Sequence, residues 1–199
     1  KQRGWNVPNL VSYMESHDEE RIMYKNELYG KSITGYNVRD LPVGLERAKA
    51  ACVILFSIPG PKMLWQFGEL GYDYKLGSSM EDGRLDKKPV RWDYYDVPER
   101  KALFDVYSKM LKLRRDEVAF ATSEYMVDLR NNFKSVTLMG NNKNAVSMAN
   151  FDVVPVTRSV NFGKSATWKD YFTGGTVTTT SSEFSITLAP GEYRLSIEQ

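Results

Sequence analysis

Two residue types that carry much enzyme chemistry are almost missing from this sequence: Cys52 is its only cysteine and His17 its only histidine. A single thiol excludes an internal disulfide and a cysteine metal cluster. It lies in the apolar run Ala50-Ala51-Cys52-Val53-Ile54-Leu55-Phe56, where a buried, inert thiol is expected. A single imidazole argues against a histidine-based metal site. No apolar stretch reaches the ~18 residues of a membrane span. An excess of one charge is missing too, with 27 Lys and Arg against 25 Asp and Glu and no basic run, which speaks against nucleic-acid binding. The start, Lys1-Gln2-Arg3-Gly4-Trp5, has neither an initiator Met nor a signal-peptide core and reads like the middle of a longer chain.

What is present is enough apolar material for a core. The 199 residues are 42% hydrophobic and 13% aromatic, suited to one large domain or two modest ones. Aromatics at that level serve stacking on sugars or ordinary packing equally well.

Two rhythms divide the chain. Over residues 5–116, strand-like and helix-like segments alternate. Leu10-Val11-Ser12-Tyr13-Met14 reads as a short buried strand, ending in the polar cluster Glu15-Ser16-His17-Asp18-Glu19-Glu20-Arg21. From Leu45, apolar residues recur at helical spacing through Phe56, until Pro59-Gly60-Pro61 stops the helix. Met63-Leu64-Trp65-Gln66-Phe67 reads as a second buried strand, followed by a long loop to Val97, with a turn at Asp82-Gly83-Arg84. A second helix is expected from Asp96, with Glu99 completing a capping box and a stripe of Leu103, Phe104, Tyr107, Met110, Leu111 and Leu113. Strand-helix units of this kind build parallel sheets, but two of them cannot close a barrel.

After residue 118 the segments shorten. Val136–Met139 and Ala145–Ala149 flank Gly140-Asn141-Asn142-Lys143-Asn144, a hairpin signal. Short runs follow at Ser159–Phe162, Thr167–Phe172, Val177–Thr180, Phe184–Leu188 and Tyr193–Ile197, as in an antiparallel β-sandwich. The expected fold class is therefore α/β plus all-β. The parallel strand-helix part spans residues 1–117, and the sandwich domain 118–199.

His17-Asp18 directly follows a buried strand, and parallel barrels carry their active sites at the C-terminal ends of strands. A carboxylate there suits an oxocarbenium-like transition state, and an imidazole beside it can bond sugar hydroxyls. A solvated, capping loop aspartate would look the same.

Four stretches carry a resemblance. Tyr13-Met14-Glu15-Ser16-His17-Asp18-Glu19 resembles the last active-site segment of the α-amylase family of glycoside hydrolases, an Asn-His-Asp after the seventh strand. Ile58-Pro59-Gly60-Pro61 through Gly68-Glu69-Leu70-Gly71 resembles that family's eighth strand and its flanking turns. Leu111-Lys112-Leu113-Arg114-Arg115 resembles the end of its last barrel helix, and Leu188-Ala189-Pro190-Gly191-Glu192-Tyr193 its final sandwich strand.

The resemblance implies that residues 1–117 are the C-terminal part of a (β/α)8 TIM barrel, that Asp18 is the catalytic, transition-state-stabilising aspartate and that His17 binds substrate. Ser16 stands where the family usually has Asn. Trp65 and Tyr72 become substrate-binding candidates, with Trp92, Tyr94 and Tyr95 nearby; each stacks on sugar rings or packs its loop. Glu69 and Asp73 line the cleft or cap the loop, and Arg21 holds a carboxylate or sits on a solvated face. The implied substrate is an α-1,4-glucan oligosaccharide or polysaccharide such as starch, glycogen or maltodextrin. Ser-His-Asp-Glu is also similar to glucan branching enzymes, so transglycosylation and branching stand beside hydrolysis, and a non-catalytic glucan-binding fragment stands beside both. No cofactor is implied, and no loop has the spaced carboxylates of an EF-hand-type calcium site. The family's nucleophile and acid/base carboxylates belong to earlier strands, so the N-terminal remainder of the barrel is an expected partner and this piece alone is expected to be inactive.

Overall fold

A computed structural model describes residues 4, 7–77 and 86–199; the turn expected at 82–84 lies outside them. The chain forms α1 (Ile22–Tyr29), a small hairpin of β1 (Ser32–Ile33) and β2 (Tyr36–Asn37), and α2 (Leu41–Ser57). Single 3-10 turns at Gly68–Leu70 and Trp92–Asp96 lead to α3 (Pro98–Asp116). Eight strands follow: β3 (Tyr125–Asp128), β4 (Phe133–Met139), β5 (Asn144–Asn150), β6 (Val156–Asn161), β7 (Thr167–Asp170), β8 (Thr176–Thr178), β9 (Glu183–Leu188) and β10 (Tyr193–Glu198).

The expected barrel strands are present as one parallel contact. Ser12 bridges Lys62, with the Ser12 N–H on the Pro61 carbonyl and the Met63 N–H on the Ser12 carbonyl, both at 3.1 Å. The ladder goes no further because Pro59 and Pro61 have no N–H to give. Nor are the segments buried strands as expected. Met14 packs on the helices, whereas Leu10, Val11, Tyr13 and Leu64 are exposed. A parallel pair needs cover on both faces, and the described residues supply it on one.

α2 begins with Pro42 in its first turn, four residues earlier than the apolar spacing from Leu45 indicates. It ends where Gly60 turns with φ 99°; a Cβ there would lie 2.4 Å from the Pro8 carbonyl oxygen, so only glycine lets the first strand pass. α3 starts at Pro98 behind Val97, without the expected capping box; proline's fixed φ sets the first turn instead. Its stripe of Leu103, Tyr107, Met110 and Leu113 is buried as expected, while Leu111 is exposed. Residues 22–37, between the first strand and α2, hold α1 and the small hairpin.

The C-terminal strands form a six-stranded antiparallel sheet in the order β3-β4-β5-β10-β7-β8, faced by the pair β6-β9. The expected 140–144 turn joins β4 to β5, with Met139 opposite Asn144. Alternation along the strands separates two cores. Phe133, Met148, Val160, Phe162, Trp168, Ile186 and Leu188 fill the space between the sheets. Val136, Leu138, Ala145, Ala149, Leu195 and Ile197 share the other face with Ala48, Cys52, Phe56, Leu103 and Met110 of the helices. β5 is buried at all of its positions because both of its faces are covered. α2 lies on β4, β5 and β10, with α3 packed along it. α2 thus lies directly on the sheet, and the α3 stripe joins the same core behind it.

Candidate active site

The loop after Ser12 is organised from inside. Glu15 Oε1 accepts the Ile22 N–H at 2.8 Å, which starts α1. Arg21, 2% exposed, donates to the Ser16 carbonyl at 3.3 Å and stands 3.7 Å from Glu15 Oε2. Its guanidinium lies 5.2 Å from the Tyr72 ring centroid and 5.9 Å from that of Trp65. Arg21 is therefore a buried strut and not a solvated face. Burial pushes the Glu15 carboxyl up, despite the Ile22 N–H and the Arg21 charge. Burial also lowers Arg21, against the pull of Glu15.

Ser16 closes the turn: its hydroxyl donates to Glu19 and accepts the Asp18 N–H at 3.2 Å. With Glu15, Ser16 and Arg21 turned inward, His17 and Asp18 are left facing out. Their side chains are 61% and 41% exposed, with Nε2 3.3 Å from Oδ1. The His17 ring tilts against Trp65, centroids 5.8 Å apart. The end of the first strand thus meets the end of the second, as the C-terminal edge of a parallel sheet requires. Between them lies a cleft of about 170 Å³ lined by His17, Arg21, Trp65, Gln66, Asp86 and Lys88. Glu20 accepts the Leu76 N–H at 2.9 Å and ties the two loops together.

His17, Asp18 and Trp65 therefore come together. Tyr72, placed among the substrate-binding residues by the sequence, is fully buried. Its hydroxyl donates to the Pro89 carbonyl at 2.7 Å, so the ring forms part of the floor under Arg21 and offers no face to a sugar. Asp73 is also committed: it pairs with Arg100 and accepts the Tyr94 hydroxyl at 2.5 Å. Tyr94 lies between Arg91 and Arg100, 4.0 and 3.8 Å from its centroid. Burial first, then the Asp73 bond, push its hydroxyl up to about 12. That cluster anchors the second loop to α3. Glu69 sits in the first turn of the 3-10 segment, raised by burial, with Oε2 buried and unpartnered among the described residues. Trp92 is 69% exposed, its ring edge against Phe67. Gln66, Asp86 and Lys88 were not anticipated; nothing in their local spacing marks them, since the cleft arises only when the two loops meet.

No protein-family model and no curated protein matches the chain. Solved structures do. The chain is similar to AmyP in complex with maltotriose (TM-score 0.70, 19% identity, 97% of this chain and 41% of that one). It is similar to an Anoxybacillus alpha-amylase (TM-score 0.69, 16% identity, 96% and 38%). A cyclomaltodextrinase also matches (TM-score 0.66, 16% identity, 96% and 30%). This is the fold of the C-terminal part of α-amylase enzymes. The resemblance carried by the four sequence stretches is thus matched by an alignment over nearly the whole chain. The chain spans well under half of the length of these α-amylase structures, 41% and 38% for the first two.

Proposed function

We propose that this chain is the C-terminal part of a retaining glycoside hydrolase acting on α-1,4-glucans, with its barrel portion ending near residue 117 and its sandwich beginning at 118. Asp18 is the carboxylate that stabilises the oxocarbenium-like transition state, and His17 holds a sugar hydroxyl beside it. The observation that carries this reading is the His17–Asp18 pair, turned outward at the strand's C-terminal end and adjoining the cleft that Trp65 walls. Neighbours of the same fold were solved with maltotriose, maltose and, for the Geobacillus thermoleovorans α-amylase, acarbose, which supports a glucan as ligand.

The chemistry follows from the geometry. As the glycosidic bond breaks, positive charge develops on the anomeric carbon, and a fixed carboxylate gains attraction that the neutral ground state lacks. Asp18 is held by the turn its N–H makes with Ser16. His17 is oriented by Asp18 on one side and Trp65 on the other, leaving an imidazole nitrogen for a hydroxyl. The nucleophile and the acid/base belong to the N-terminal remainder of the barrel, so the chain by itself forms no glycosyl-enzyme intermediate.

The test is Asp18→Asn in the whole enzyme. We expect kcat to fall about 100- to 1,000-fold with KM little changed, as for other preorganised electrostatic groups. Turnover near the parent value would reduce Asp18 to a loop aspartate. His17→Ala should cost less, because part of its contact already exists with bound substrate. Product analysis on amylose reads the alternative: reducing ends mark hydrolysis, new branch points a branching enzyme.

A further inference from the structure

The second strand stops in a strained turn. The Gly68 N–H returns to the Trp65 carbonyl at 3.0 Å. Trp65, Gln66, Phe67 and Gly68 thus form a four-residue turn whose third position is Phe67, with φ 58° and ψ 6°. Such angles at that position ordinarily belong to glycine or asparagine, and Phe67 is the only non-glycine residue with a positive φ among the described residues. A bulky side chain in the left-handed region is unfavourable and persists only where its surroundings fix it; residues of this kind cluster at ligand sites. The surroundings of Phe67 do fix it. Its carbonyl accepts the Leu70 N–H at 3.0 Å and the Tyr72 N–H at 3.1 Å. Its buried ring packs on those of Tyr72 and Trp92, with centroids 5.6 and 4.9 Å away.

The turn determines what faces the cleft. Consecutive residues of a strand point to opposite sides, yet Trp65 and Gln66 both line the cleft with His17. With Phe67 extended, the Gly68 N–H could not return to the Trp65 carbonyl, and the strand would run on past the cleft. The neighbouring polar groups are committed or charged. Arg21 donates to the Ser16 carbonyl, Lys88 donates to the carbonyls of Leu76 and Asp86 at 2.5 and 3.2 Å, and Asp86 is a carboxylate that only accepts. Gln66 is exposed, and no described residue takes up its amide. That amide holds an acceptor oxygen and a donor NH2 side by side. A pyranose ring presents hydroxyls on neighbouring carbons, so that one can donate to the oxygen while the next accepts from the nitrogen.

We propose that Gln66 is a specificity-determining residue of the cleft, binding two neighbouring hydroxyls of the substrate, and that the left-handed turn at Phe67 positions it. That the substrate is an α-glucan rests on the function proposed above.

The experiment measures kcat and KM of the whole enzyme on an aryl α-maltotrioside. Gln66→Leu keeps the length of the side chain and removes both hydrogen-bonding groups. We expect it to raise KM about tenfold, to lower kcat by less, and to leave the urea midpoint in place. Gln66→Glu retains an acceptor without the donor and should fall between Gln66→Leu and the parent. Phe67→Gly releases the strain but also the ring that fixes the turn. It should raise KM in the parent and add nothing in the Gln66→Leu background, because a positioning residue acts only through the group it positions. An equal rise in both backgrounds would overturn the role of Phe67. If Phe67→Gly does not fold, the two Gln66 variants decide alone. A parental KM in Gln66→Leu, in an enzyme that releases reducing ends from amylose, overturns the proposal and leaves the glucanase reading standing. An enzyme that acts on neither amylose nor the maltotrioside overturns both.

Discussion

At the scale of single residues, burial decides which polar groups are available for chemistry. Glu15, Ser16 and Arg21 read in sequence as one more polar cluster with His17 and Asp18, yet the fold sorts them into three inward and two outward. The raised carboxyl of Glu15 has a consequence that can be measured. Because burial lifts it above its unfolded value of 4.5, the folded chain binds that proton more tightly than the unfolded one. Its stabilising share is complete below pH 4.5 and is lost as pH rises through the folded value. Glu15→Gln keeps the acceptor for the Ile22 N–H and removes the titration. Urea denaturation at a series of pH values should therefore show the wild type losing stability relative to Glu15→Gln as pH rises from the acid range to neutral. A constant difference across that range would mean that Glu15 does not titrate with folding. Gly71 makes a steric claim at the same scale. With φ 65° and a Cβ that would fall 2.4 Å from Leu45 Cδ2, Gly71→Ala combines left-handed strain with overpacking. We expect a loss of about 2–4 kcal/mol, read as a lower urea midpoint.

At the scale of elements, legibility followed locality. α2, the α3 stripe, the β4-β5 hairpin and the strand runs from 159 onward are visible as spacing because each places its apolar residues at its own period. The residues that nothing local announces are those whose partners lie far along the chain. Arg114 was read only as part of a helix-end motif. In the fold it donates to the carbonyls of Phe56, Ile58 and Gly60 at 2.7, 3.0 and 2.7 Å, closing the open C-terminal end of α2. Lys62 donates to the Gly60 carbonyl at 2.8 Å, and burial, then the Arg114 charge, lowers its ammonium to about 8. Arg114→Ala should cost about 2–4 kcal/mol, since several carbonyls lose a charged donor, and should raise the Lys62 value. The first is read by denaturation and the second by NMR titration of the lysine side chain. An unchanged midpoint would show that water satisfies those carbonyls equally well. Tyr72 illustrates the opposite failure. Its position on the loop after the second strand suggested a sugar contact, but aromatic identity alone does not distinguish a wall from a floor. Only the Arg21 strut above it and the Pro89 carbonyl beside it decide which it is.

At the scale of the whole molecule, the division near residue 118 meets a core that does not respect it. The face of the large sheet formed by Val136, Leu138, Ala145, Ala149, Leu195 and Ile197 is covered by α2 and its companions. The opposite face is covered from within by β6 and β9. Residues 118–199 alone would keep the inter-sheet core, with Trp168 and Phe162 in edge-to-face contact at 4.9 Å, but would bare the other face to water. An exposed apolar face of that kind binds hydrophobic dyes and drives association. Arg47, which donates to the carbonyls of Phe151 and Asp152 at 2.7 and 3.3 Å, would be lost as well. We therefore expect the isolated 118–199 segment to fold, to self-associate, and to unfold at a lower urea concentration than the complete chain. Hydrogen exchange should locate the difference: amides of β6 and β9 keep their protection, while those of β4, β5 and β10 exchange faster than in the complete chain. If the isolated segment were unfolded, the helices would be part of the sandwich's own folding unit and the boundary would have to move N-terminal of α2. If it matched the complete chain in stability and remained monomeric, the helical layer would contribute nothing to it, contrary to the packing of α2 on β5.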